Sequence, residues 1–275
     1  MTRATLTDVL RPALQQGYAV PGFVVLGWED ARAFVEAAEE QGLPVILQAG
    51  PGCRAHTPLP VLGAMFAWLA EQATVPVVAH LDHSRDVETC RAAIDSGFTS
   101  VMIDGSDLPL EANLRLTSDV VTLARAHGVS VEAELGVVGY AGGAASTATD
   151  AIEAARMAAT GIDALAVSVG NVHLMQEADA TIDRSAIARI TEACPGLPLV
   201  LHGGSGISAA DRRALALDTA ICKFNIGTEL RMAFGAALRN AVVSDPAQFD
   251  RIALLSKTIA PMRVLAGQIL RQLAR

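Results

Sequence analysis

The sequence predicts a (β/α)8 barrel, an α/β fold, on two observations: eight short apolar runs recur along the chain, and Ala-rich segments of helical periodicity separate them. The runs are YAVPGFVVL (18–26), PVILQAG (44–50), VPVVAHLDH (75–83), SVMIDGS (100–106), SVEAELG (130–136), ALAVSVG (164–170), PLVLHGGSG (198–206) and ICKFNIGT (221–228). Their near-continuous hydrophobicity, without apolar–polar alternation, is that of strands buried on both faces, as in a parallel sheet covered by helices. The intervening EDARAFVEAAEEQG (29–42) and SRDVETCRAAIDSG (84–97) each close on a glycine suited to the C′ position. A doubly wound open sheet is the alternative arrangement of such units. No linker divides the chain, so residues 1–275 are read as one barrel domain with a C-terminal helical extension after Ala241. MTRATLTDVLRPAL at the start reads as a short amphipathic helix rather than a leader, because it lacks a continuous apolar core. GVVGYAGGAASTATD (136–150), rich in glycine and small residues, reads as a mobile loop after the fifth strand.

Composition narrows the function. The 275 residues are 51% hydrophobic and 18% charged, with a mean hydropathy of +0.36, which suits a folded domain with a large core. A net charge of −8 and the lack of any Lys/Arg cluster argue against nucleic acid. No uncharged apolar run is long enough to suggest a membrane span. Cys53, Cys90, Cys194 and Cys222 are scattered without a CxxC pair, the pattern of reduced thiols in a cytoplasmic protein.

In a (β/α)8 barrel the C-terminal ends of the strands form the active face. His83 closes the third run, His173 follows the sixth (SVGNVH) and His202 closes the core of the seventh (LVLHGG). A strand-end histidine is commonly a hydrogen-bonded packing residue. Three at one mouth favour a metal site instead, since neutral imidazole is a preferred ligand of Zn2+. Asp104 and Glu134 end the fourth and fifth runs, with Glu132 on the same strand face as Glu134. They could bind a second cation or orient the histidines. His127 suits a helix C-terminus, His56 a loop, and His80 a supporting place on the face it shares with Asp82. HGGSG (202–206) and NIGT (225–228) each lead into a helical segment, the usual phosphate cradle of a barrel. Gly203 and Gly204 would let backbone N–H groups approach an anion, and Ser205 and Thr228 would add hydroxyls.

With these residues assembled, the chain resembles the class II, zinc-dependent ketose-bisphosphate aldolases, typified by the fructose- and tagatose-bisphosphate enzymes. The resemblance rests on AHLDHS, SVMIDGS, SVEAELG, LVLHGGSGI and KFNIGTEL, in order and almost end to end. It implies a lyase of carbohydrate metabolism in which His83, His173 and His202 hold the catalytic zinc and Asp82 transfers a proton. Asp104 and Glu134 would match a secondary cation site. Gly203 to Ser205 and Asn225, Ile226, Gly227 and Thr228 would bind the phosphate of dihydroxyacetone phosphate. A phosphorylated sugar is the implied partner, and a homodimer or homotetramer the implied assembly. An isomerase or epimerase using the same enediolate, or a non-catalytic sugar-phosphate-binding homologue, are the other readings.

The chain departs from the family pattern at three places. Pro21-Gly-Phe-Val24 stands where PAFN is usual, and Gly170-Asn-Val-His-Leu-Met-Gln176 where GTxHG is usual. Leu174 thus replaces a glycine near the phosphate, and the usual lysine nearby is absent. The loop after the fifth run lacks its acid before Asp150. Asp150, Glu153, Tyr140 or Glu132 would have to act as base, or the reaction differs. These departures point to a shifted phosphorylated ketose, such as a monophosphate.

Overall fold

The computed structural model describes residues 2–143 and 145–274. After a two-residue strand β1 (Arg3–Ala4) and helix α1 (Leu6–Gln16), eight strands follow at the predicted places. They are β2 (Val20–Val24), β3 (Val45–Ala49), β4 (Val77–Ser84), β5 (Ser100–Ile103), β6 (Ser130–Leu135), β7 (Ala164–Val167), β8 (Leu199–Leu201) and β9 (Ile221–Ile226). Each pairs in parallel with the next; β2–β9 and β4–β5 complete the ring, so the sheet is a closed barrel and the open-sheet alternative falls. β1 is an addition that the sequence did not announce, pairing with the start of β4 through Arg3 and Val77.

Around the barrel lie α2 (Trp28–Gln41), α3 (Pro51–His56), α4 (Leu59–Gln72), α5 (Val87–Asp95), α6 (Leu110–Arg125), α7 (Ala151–Ala158), α8 (Arg184–Ala193), α9 (Ala209–Asp218), α10 (Thr228–Ser244) and α11 (Arg251–Leu273). The terminal extension is therefore the end of α10 plus the long α11, which packs on α2 and pairs Arg263 with Glu36 and Glu40. Among the described residues no helix is long and apolar enough to cross a membrane.

Helix α1 seals the floor. Thr5 caps it, with a reciprocal bond to Asp8, and its apolar face (Leu6, Val9, Leu10, Ala13) is buried. That face clusters with Val20, Ile46, Val78, Met102, Ala164, Ala166 and Val200, the inward residues of the lower strands. Outward-facing neighbours such as Val77, Ala79 and Leu81 join the separate core between barrel and helices.

Two irregularities of the ladder position the chemistry. Between β4 and β5 the register jumps from Leu81↔Val101 to Ser84↔Ile103, so Asp82 and His83 together oppose Met102. This bulge, with His83 at φ 49°, turns two adjacent side chains toward the same mouth, which a regular strand forbids. Between β8 and β9, Leu199↔Ile221 is followed by Val200↔Lys223, and the extra Cys222 joins the floor cluster while Lys223 enters the barrel. If α1 closes the barrel, Leu10→Ala costs about 2–5 kcal/mol, read as a lower urea midpoint at unchanged slope; an unchanged midpoint would refute the sealing role.

Candidate active site

His83, His173 and His202 meet at the mouth, with one ring nitrogen of each within 4.8 Å of the others. Their ring centroids are 4.7–5.5 Å apart. His202 is fully buried just beyond β8, and its carbonyl accepts from Asn171 Nδ2 at 3.1 Å. Asn171 Oδ1 also accepts from Val169 N–H, so one asparagine ties the segment carrying His173 to the end of β8. His83 is held from the backbone by Arg54, whose guanidinium donates to the carbonyls of Ala49, Asp82 and His83. Arg54 lies within PGCRAH and gave no sequence signal, because its role is to satisfy carbonyls that the β4 bulge leaves free.

Asp104 Oδ2 lies 2.9 Å from His83 Nδ1, while its Oδ1 accepts from the Ser106 hydroxyl and amide. Glu134 Oε2 lies 3.4 Å from His202 Nδ1 and 3.7 Å from His83 Nδ1. His83, Asp104 and Glu134 form a second group whose donor atoms are close enough for one cation, and it shares His83 with the first. Glu132 sits one layer deeper, with Lys223 Nζ at 2.7 Å and His202 Nε2 at 3.0 Å. His80 is below the mouth, bonded to Ser100 Oγ at 2.8 Å. His127 bonds the Leu123 carbonyl near the end of α6, and His56 ends α3 beside Thr57.

The electrostatics suit a cation. Burial holds His202 well below the usual imidazole range and His173 at about 4, so both keep a lone pair for a ligand. Burial works against a charge on His83 too. Asp82, Asp104 and Glu134 outweigh it and raise that group to about 9. Burial pushes Glu134 up to about 8, whereas Asp104, despite burial, is held well below the carboxylate range by His83, Ser106 and Arg85. His202 Nδ1 and Glu134 Oε2 are buried without a hydrogen-bond partner. Orphaned lone pairs on an imidazole and a carboxylate, beside two further imidazoles, fit a divalent metal with nitrogen preference.

A cavity of about 290 Å³ opens above this cluster, lined by Asp82, His83, His173, Tyr140, Gly203, Ser205, Asn225, Gly227 and Thr228 among others. Asp82 is nearly buried and accepts from Asn225 Nδ2 at 3.2 Å. Gly204 and Ile226 do not line it. Gly204 is packed against the β9 backbone, and the Ile226 side chain lies in the core, leaving each only its main chain to offer. Gly203 is indispensable sterically: at φ 66° an added Cβ would stand 2.1 Å from the Val172 carbonyl oxygen. Leu174 does line the cavity, at φ 60°, a conformation that favours glycine.

The loop from 136 to 150 folds back on itself through the Val137–Thr147 bridge and a Gly139 N–H bond to Ser146 Oγ. It is joined to the His173 segment by main-chain bonds from Ala141 N–H to the His173 carbonyl and from His173 N–H to that of Gly139. Asp150 caps α7 and Glu153 lies in its first turn; neither lines the cavity. Of the four candidates for a loop base, only Tyr140 does, its ring stacked on His173 at 4.9 Å. Arg231, on α10, was overlooked in the sequence because helical arginines are usually solvated. It lines the cavity, and among the described residues it makes no ion pair. Beside the cavity runs a larger apolar groove of about 810 Å³, sharing Val24, Leu26 and Arg231 with it, but the titratable cluster belongs to the smaller space.

Gly203→Ala should push the Val172–His173 segment away and lower the divalent metal bound per chain after gel filtration. Full occupancy would show that this contact does not place His173.

Comparison with known proteins agrees with this architecture. Residues 4–274 match the family described as fructose-bisphosphate aldolase class-II. The chain is 40% identical over 259 residues to a fructose-bisphosphate aldolase of Geobacillus stearothermophilus, covering 91% of this chain and 89% of that one. It is also 40% identical over 261 residues to a probable fructose-bisphosphate aldolase of Bacillus subtilis, covering 91% and 90%. The crystal structure of the YdjI aldolase from Escherichia coli K12 superposes with a TM-score of 0.86 at 33% identity, covering 99% of this chain and 97% of that one. The chain belongs to the class II fructose-bisphosphate aldolase family and is an aldolase, a carbon–carbon lyase.

Proposed function

We propose that this aldolase reversibly cleaves a phosphorylated ketose into dihydroxyacetone phosphate, or a similar ketone phosphate, and an aldehyde. The observation that carries this is the placement of His83, His173, Asp82, the Gly203–Ser205 turn and the glycine-bearing start of α10 around one cavity, with His202 in reach of the other two imidazoles from beneath it. His83, His173 and His202 would hold a divalent ion, zinc best matching the donors, and it would supply a Lewis acid for the negative charge left when the carbon–carbon bond breaks. Asp104 and Glu134 are suited to steady that cluster or to hold a second cation beside it.

Asp82 takes the proton from the hydroxyl on the aldehyde-side carbon during cleavage and returns it during condensation. Asn225 donates to one of its oxygens, which orients the carboxylate and leaves the other for substrate. The phosphate is received by main-chain N–H groups around Gly203 to Ser205 and Asn225 to Thr228, with the Ser205 and Thr228 hydroxyls and the positive start of α10. Local dipoles thus accept an anion despite a net charge of −8. Burial raises the Tyr140 phenol above its ordinary value, so this side chain enters the cavity as a proton donor, not as a carboxylate-like base. Arg231 stands free to meet an anionic group on the aldehyde half, which offsets the missing lysine. Free, buried cysteines and exposed Trp28, Trp68 and Val61 suit a cytoplasmic protein that associates with its own copies.

Zinc-supplemented protein incubated with a panel of phosphorylated ketoses should release aldehyde, and a chelator should stop it; mass-neutral conversion would make the enzyme an isomerase instead. Asp82→Ala should lower kcat about 100- to 10,000-fold with zinc content intact. Loss of zinc would mark Asp82 as a ligand. Arg231→Ala should raise KM about 10- to 100-fold with little change in kcat for a substrate anionic at the aldehyde end, and an equal fall in kcat would contradict a binding role.

A further inference from the structure

Below the mouth, the barrel carries a buried polar layer for which the proposed chemistry has no direct use. Lys223 on β9 and Glu132 on β6 are both fully buried and face each other across the lumen, Nζ to Oε2 at 2.7 Å. Glu132 Oε1 meets His202 Nε2 at 3.0 Å. His80 Nε2 lies farther off, 3.6 Å from Glu132 Oε2. The layer is tightly confined. A Cβ on Gly22 would stand 1.6 Å from Gln48 Oε1 and 3.1 Å from Lys223 Cε. Lys223 does not line the cavity and its amine is occupied by Glu132, so it is no candidate for a Schiff base.

A buried ion pair of this kind usually stabilises a fold less than apolar side chains of equal volume. Its geometry offers a different role. Lysine has only N–H donors, and a carboxylate only acceptor oxygens. With Lys223 on one oxygen of Glu132, the other must accept from the His202 ring, so Nε2 carries the hydrogen. Nδ1 is then left with its lone pair toward the cluster, and it is this atom that has no partner in the protein.

We infer that Lys223 is a positioning residue that dictates, through Glu132, which nitrogen of His202 carries the ring hydrogen, keeping it on Nε2 and leaving the lone pair of Nδ1 for the metal. The inference rests on His83, His173 and His202 being the ligand set. It makes an unusual demand of the isosteric variant. In Glu132→Gln the amide has one oxygen, and Lys223 can only claim it. The amide NH2 group then faces His202 and needs a lone pair on Nε2, which moves the ring hydrogen to Nδ1. Adding Lys223→Met releases the amide oxygen for His202 and restores the original tautomer.

Zinc affinity is measured by chelator competition on wild type, Glu132→Gln and the double variant. Glu132→Gln should bind about 10- to 100-fold more weakly, and the double variant should recover most of that loss although it removes more polar contact. A double variant that binds no better than Glu132→Gln overturns the inference, as does wild-type affinity in Glu132→Gln. Nitrogen-15 imidazole spectra of the chelated protein give a second readout. Wild type and double variant should carry the His202 hydrogen on Nε2, and a hydrogen on Nδ1 in either refutes the relay even if Glu132→Gln fails to fold. Neither readout needs turnover, so a protein that shows this pattern but cleaves no ketose phosphate would sink the proposed function alone.

Discussion

The structure depends on one constraint: inward side chains of a closed parallel barrel meet their partners across the lumen, and a polar group left without one there is costly. The lumen answers this in tiers. At the floor Val20, Ile46, Val78, Met102 and Val200 pack under α1. One level up, Lys223, Glu132 and His202 satisfy one another. At the mouth the tally is left open, with unpaired atoms on His202 and Glu134. His80 Nε2 and both side-chain polar atoms of Gln48, lower in the lumen, also lack partners, but only the rim atoms sit beside further imidazoles that could share a ligand.

The adjacency of Asp82 and His83 follows from a local breach of strand geometry. In a regular strand one of the two would point into the helical layer. The bulge opposite Met102 brings both to the cavity, and the carbonyls it displaces are gathered by Arg54. Asp82 and His83 are thereby fixed to one turn of the same strand end. Their separation does not depend on any loop.

Charge is distributed with the same economy. Asp82, Asp104 and Glu134 surround His83 and favour positive charge there, while burial keeps His173 and His202 neutral. On the other side of the same cavity, Asn225 Nδ2 donates to Asp82, and Gly227 leads into the positive start of α10. The carboxylate-rich and the dipole-rich walls therefore face one cavity from opposite sides.

The sequence by itself determined the eight strands, the closure they imply and the convergence of three histidines, because strand burial and strand ends are written in local hydrophobic patterns. Gly203 was legible for the same reason, as a glycine at a strand end. What only the tertiary structure decided depends on register across strands distant in the chain. It set the bulges that turn His83 and Lys223 inward, the service of Arg54 to β4, and the approach of Arg231 to the cavity. It also decided among the residues around the loop: Asp150 is spent on capping α7, while Tyr140 stacks on His173. No local pattern encodes these, since each partner lies on another element and only the closed barrel brings the two together.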